Sequence, residues 1–268
     1  MIRPLGFGVE VTRSQLWRAR PAIIGWSLAL AGVSAMYTGF WPAFDGDTLQ
    51  ALTDDLPPAL VDALGYEGIG TVEGWLTSTT YGLLGPMLLL AFGIGFGARS
   101  VAGDERDGVL AVELAQPITR AEASLGRLLA GIVQLAILVV AVTLSTRITA
   151  SIVGMDISTG QLIEGADGLF TFAVPWLAIS WAIAAITARR DVAIGATTTL
   201  AVLAYVFHIL GPATGNEALG DISPFHWYLE SDLLLVGPDR GVLVFAVVTT
   251  LVMAIAGATV FARRDIAS

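Results

Sequence analysis

The sequence has no cysteine, no lysine and only two histidines, His208 and His226. Each shortage removes a class of chemistry. Without cysteine there are no disulfides, thiolate metal sites or cysteine nucleophiles, and nothing reports on the redox state of the compartment. Without lysine there is no P-loop, whose lysine reaches the nucleotide phosphates. The two histidines form no HExxH pair, which excludes a zinc protease by pattern, and no nucleophile elbow accompanies either of them. Charge is scarce as well. Charged residues make up 14% of the 268 positions, against roughly 25% in soluble domains. The net charge of −9 argues against a nucleic-acid partner, which requires a basic surface.

The charges that are present are bunched. Between the bunches lie six stretches free of Asp, Glu and Arg, at 21–44, 74–98, 128–146, 168–188, 192–216 and 241–262. Crossing a hydrocarbon core about 30 Å thick takes roughly 20 apolar helical residues. A charge at mid-bilayer costs about 2.5–3.5 kcal/mol. One such stretch suits a buried helix in a soluble core; six in one chain of this length do not. The expected fold is all-α, a polytopic integral membrane protein with six transmembrane helices in one domain, 1–268. The spans are expected at about 21–43, 76–100, 126–150, 168–188, 191–213 and 240–262. The lipid bilayer is thus the first partner, and a multi-pass place in the cell membrane the expected location.

Orientation follows from the arginines. Twelve of the fourteen fall before the first span, between spans 2 and 3, between spans 4 and 5, and after the last span. The alternate connections, 45–73, 153–167 and 217–239, carry acids instead. This bias puts both termini in the cytoplasm. Arg147 and Arg240 stand near the outer ends of their spans, where a long side chain reaches water. The apolar run after Arg18 and Arg20 continues through Trp41 and Phe44, so it reads as a retained span rather than a cleaved signal. Ahead of it, 5–20 mixes apolar residues with arginine, as in an interfacial helix or a frayed terminus. Residues 48–64 suggest two short helices broken at Pro57-Pro58.

Inside the spans, Gly93 and Gly97 have the GxxxG spacing that lets helices approach closely. No strand precedes them, so a dinucleotide site is excluded. Pro86 offers a bending point in span 2. His208 is the most polar intramembrane side chain, and such a group serves either function or helix packing.

The connection between spans 2 and 3 is the most informative segment. Residues 103–120 read GDERDGVLAVELAQPITR. Gly108 frees the chain to turn, 109–115 favour helix, and Pro117 stops it. Val109, Leu110, Val112 and Leu114 are apolar in a loop facing the cytosol, with Asp104, Glu105, Asp107 and Glu113 around them. An apolar cluster rimmed by charge suits a protein docking site. An interfacial helix on lipid is the alternative, but four acids oppose an anionic leaflet.

This segment resembles the cytoplasmic coupling segment of ABC-2 type permeases, the membrane-spanning halves of ABC exporters. An acidic cluster and Gly lead there into a short helix that ends at a Pro-x-Ser/Thr-Arg turn. Arg127 stands where such sequences commonly have Lys, and Gly108-Val109-Leu110-Ala111 where Gly-Thr-Leu-Glu is usual. Ser223-Pro224-Phe225 and the closing Phe261-Ala262-Arg263-Arg264-Asp265 extend the likeness over most of the chain. The resemblance implies a short coupling helix contacting an ATPase through Asp104, Glu105, Asp107, Gly108, Leu110, Glu113, Pro117 and Arg120. It implies two copies of an ABC ATP-binding subunit, which would hold ATP and Mg, and a second permease copy, identical or related. This chain would carry no cofactor or metal and would not itself be an enzyme. Spans 2 and 5 would line the path, with Pro86, Tyr205 and His208 as possible path residues. The rival readings are a membrane anchor that recruits a cytosolic partner and an intramembrane enzyme. The latter lacks facing polar pairs. The few intramembrane polar groups favour a hydrophobic or amphipathic cargo over an ion.

A cysteine-free chain is suited to single-cysteine labelling. Cysteines placed within 103–120 should react with impermeant reagents only from the cytoplasmic side, and those within 45–73 only from the outside.

Overall fold

A computed structural model describes residues 7–44, 48, 51, 53–57, 61, 66, 68–106, 118–214 and 217–264. Among the described residues the chain is helical and contains no strand. Six helices are long and apolar enough to cross a membrane: spans 1 (Arg20–Ala43), 2 (Val72–Gly103), 3 (Arg120–Val153), 4 (Thr159–Thr187), 5 (Arg190–Gly211) and 6 (Arg240–Arg263). The polytopic all-α fold expected from the sequence is the fold observed.

Several helices run past their charge-free stretches. Span 3 has 34 residues, about 51 Å at 1.5 Å per residue, well beyond a 30 Å hydrocarbon core. Its start is set by a capping box. The Thr119 hydroxyl accepts from Glu122 N–H while the Glu122 carboxylate accepts from Thr119 N–H. Span 4 begins the same way, with Ser158 and Gln161 as the reciprocal pair, and so opens at Thr159 rather than near 168. In each case two N–H groups that a helix start leaves open are satisfied.

Span 4 is the central post. Phe172, Leu177 and Trp181 on it are fully buried, and it packs on spans 2, 3, 5 and 6. Span 2 comes close to it, and glycine makes the approach possible. A Cβ at Gly97 would stand 2.7 Å from Leu177 O and 2.8 Å from Trp181 N, and one at Gly93 would stand 3.3 Å from Leu177 Cβ. Where the backbones meet, Ser180 Oγ donates to Ile94 O at 2.8 Å. Small residues and interhelical hydrogen bonds are the means of association left to helices in lipid, where there is no water to expel.

Span 1 lies against span 3 through hydroxyls. Ser34 Oγ and Thr146 Oγ1 are 2.7 Å apart, and Ser145 Oγ donates to Ala31 O at 2.6 Å. The N-terminal helix Phe7–Arg18 is not frayed. Val11, Thr12 and Gln15 are buried, and Thr12 Oγ1 donates to Gly126 O at the foot of span 3. The pair of helices expected within 48–64 lies largely outside the described residues.

Span 2 is not a regular α-helix. It is π-helical at Thr77–Leu84 and again at Arg99–Gly103. Pro86 explains the first stretch. Gly85 N–H bonds Thr80 O, five residues back, and Pro86 has no N–H to offer. Tyr81 O therefore loses both its α and its π partner within the span. The Tyr228 hydroxyl donates to it at 2.5 Å. Tyr228 belongs to the helix Pro224–Leu229, between spans 5 and 6, which together with Leu233–Val236 folds back into the bundle. Phe225, Tyr228, Leu233 and Leu234 are all buried, and the Tyr228 ring stacks on Phe172 with centroids 4.4 Å apart.

Gly97→Ala should lower thermal stability in detergent by about 1–3 kcal/mol through overpacking. Gly95→Ala, where no atom lies within 4 Å of the new methyl, should leave the melting curve unchanged or raise it slightly.

Candidate functional site

Both flanks of the connection between spans 2 and 3 are held in a polar network at the arginine-rich end of the bundle. Span 2 continues into a helical turn at Asp104–Arg106. Arg127, about two turns inside span 3, is fully buried, and its Nε and Nη2 donate to Asp104 Oδ2 at 3.4 Å. Gln15 Nε2, from the N-terminal helix, donates to the same oxygen at 3.0 Å. One carboxylate thus joins the end of span 2, the start of span 3 and the N-terminal helix.

The second half of the network centres on Arg264, just beyond span 6. Its Nη2 pairs with the Glu105 carboxylate, and its Nη1 donates to Ala185 O at 2.9 Å. Ala185 lies in the last turn of span 4, where carbonyls lack helical partners and carry the negative end of the helix dipole. A cation there caps the helix and neutralises Glu105 at once. The Arg264 carbonyl in turn accepts from Arg120 Nη1. Arg264 therefore ties spans 2, 3, 4 and 6 at one point. Its side chain is 16% exposed and that of Glu105 11%, so solvent screens the pair less than it would a surface pair.

Of the expected coupling residues, Asp104, Glu105 and Arg120 meet in this network. Asp104 and Glu105 do not form a free acidic rim, because arginines of the same chain engage both. Asp107, Gly108, Leu110, Glu113 and Pro117 lie outside the described residues. Among the possible path residues, Pro86 is buried in span 2. Tyr205 and His208 sit together on span 5, with ring centroids 6.2 Å apart, and Tyr205 also meets Phe225 edge-on at 5.3 Å. Sequence reasoning used Arg127 and Arg264 as markers of orientation and of the family resemblance, not as parts of the site. A usable signal existed for Arg127: an arginine directly before a charge-free stretch cannot avoid the bundle if its helix face is the inner one. For Gln15 there was none, because its partner is 89 positions away.

The described residues form an all-helical bundle with six membrane-crossing helices and an ionic network at one end around the connection between spans 2 and 3, the build of a multi-pass membrane protein. The family model described as "ABC-2 family transporter protein" matches residues 48–266, and the chain belongs to that family. It is a membrane permease of an ABC transporter, a kind of protein that works with an ATP-binding subunit. No curated protein matches the sequence.

Arg127→Met should destabilise the purified protein by roughly 3–5 kcal/mol, since it leaves the Asp104 carboxylate partly buried without its counter-ion. Adding Asp104→Asn, which keeps an acceptor for Gln15, should recover most of that loss. Thermal melts of the two variants test this.

Proposed function

We propose that this chain is the permease half of an ATP-driven exporter of the plasma membrane. It works as a dimer with an identical or related permease, and its arginine-rich end faces the cytoplasm. Two ATP-binding subunits, carrying ATP and Mg, dock beneath the segment 103–120. Closure of the ATPase pair presses on that segment. The observation that carries this reading is the clamp at its two ends. Asp104 and Glu105 on one side, and Arg120 on the other, are bound to Arg127 and Arg264. A push on the intervening residues is then delivered to spans 2, 3, 4 and 6 rather than absorbed by slack chain. The two π-helical stretches of span 2 provide the places where it can bend.

The residues of the segment thereby divide into two roles. Asp104 and Glu105 anchor the lever, while Leu110 and Glu113 provide the docking surface. The cargo is hydrophobic or amphipathic, because the spans offer hydroxyls and aromatic rings in place of charges. Tyr205 on span 5 and Trp176 on span 4, each against Phe225, are of the type that would meet it.

The division of roles is testable in a complex with the cognate ATP-binding subunit. Leu110→Asp and Glu113→Arg should abolish co-purification of the ATPase. Arg264→Met should keep co-purification but reduce ATP-dependent transport about tenfold, the scale of a typical coupling energy. Transport is followed in inverted vesicles with a panel of amphipathic compounds. Survival of both co-purification and transport in Leu110→Asp and Glu113→Arg would show that coupling runs elsewhere.

A further inference from the structure

The junction between span 5 and the folded-back helix Pro224–Leu229 gathers three ligand-type side chains, His208, His226 and Glu230. His208 is 1% exposed, and among the described residues neither of its ring nitrogens has a hydrogen-bond partner. Every imidazole carries at least one N–H donor and, when neutral, one lone pair, and hiding both from water without a partner is unfavourable. His208 faces His226, with ring centroids 6.1 Å apart. His226 Nδ1 in turn stands 2.6 Å from Glu230 Oε1, an ion pair when the imidazole is protonated. On the other side of the same ring, His226 Nε2 lies 3.5 Å from Asp221 Oδ1.

One ligand atom from each of His208, His226 and Glu230 falls within 4.8 Å of the other two. We propose that these three residues bind a divalent transition-metal cation of the zinc class. Two imidazoles and one carboxylate form a donor set that suits zinc and its neighbours, whereas magnesium and calcium take oxygen ligands. Ligand atoms around a tetrahedral zinc lie about 3.3 Å apart, so on binding the wider separations to His208 would close and the His226–Glu230 pair would open slightly. Asp221, against the second nitrogen of His226, is placed to hold that ring in its tautomer, as carboxylates commonly do behind metal-bound histidines. The cation would give His208 the partner it lacks. It would also fasten span 5 to the helix whose Tyr228 supplies the missing donor to Tyr81 in span 2.

The test uses the full-length chain in detergent, stripped with chelator and titrated with zinc chloride or cobalt chloride alone. The expected result is one metal per chain, visible bands of four-coordinate cobalt, and a higher melting temperature with zinc. His226→Gln and Glu230→Gln change partly exposed side chains and should fold. Each should weaken binding by at least about 10–100-fold, the loss seen even for residues behind the ligands. Asp191→Asn, on an exposed acid paired with Arg189, should leave binding intact. His208→Asn should abolish it, and if that variant misfolds the other two still decide. Absence of saturable binding to the folded wild-type chain, or equal affinity in His226→Gln and Glu230→Gln, would overturn the proposal.

Discussion

The contact on which the arrangement of the helices most depends is Arg264 at the end of span 4. Its guanidinium meets a helix carbonyl and a carboxylate, and its own carbonyl meets Arg120. Four spans that also pack against one another are bound here within one side chain's reach. Removing a charge from such a setting is costly because its partner stays behind in a medium that solvates it poorly. The buried pair of Arg127 and Asp104 repeats the device for span 3 and the N-terminal helix. Charge is scarce in this chain, and much of it is used where helices must be held together. The lipid-facing surfaces are left to Leu, Val and Ile.

The opposite half of the bundle is held differently. There, one missing N–H organises the structure. Pro86 cannot satisfy Tyr81 O, the span widens into a π-helix, and the segment after span 5 folds back to supply a phenol. A backbone carbonyl left open within a membrane is expensive, so the irregularity of span 2 and the depth of Tyr228 form one feature. The same folded-back segment brings His226 under His208. One end of the bundle is thus held by ion pairs and the other by hydrogen bonds and ring stacking.

The six membrane-crossing helices and the close approach at Gly93 and Gly97 were legible because both rest on local pattern. Charge-free length and small-residue spacing act through neighbours in the chain. The roles of Asp104 and Glu105 were only half legible. Their acidity beside an apolar run suggests a docking rim, yet a sequence cannot tell whether an arginine of another span is near enough to claim them. Arg264 lies 159 positions from Glu105. His208 and His226 show the same limit more sharply, since 18 residues of separation match no metal-binding spacing.

Taken alone, the residues determined that the chain lives in a bilayer, how many times it crosses, and that the connection between spans 2 and 3 is its distinctive segment. These are properties of composition and short-range order, which the hydrophobic thickness of a membrane converts directly into helices. Tertiary structure alone decided which arginine meets which acid, that the stretch before the last span turns inward, and that two distant histidine rings lie against each other. Each of these depends on distances between helices. Those distances are set by glycine contacts, a proline and a cap at a helix end acting together, and no window of sequence contains them all.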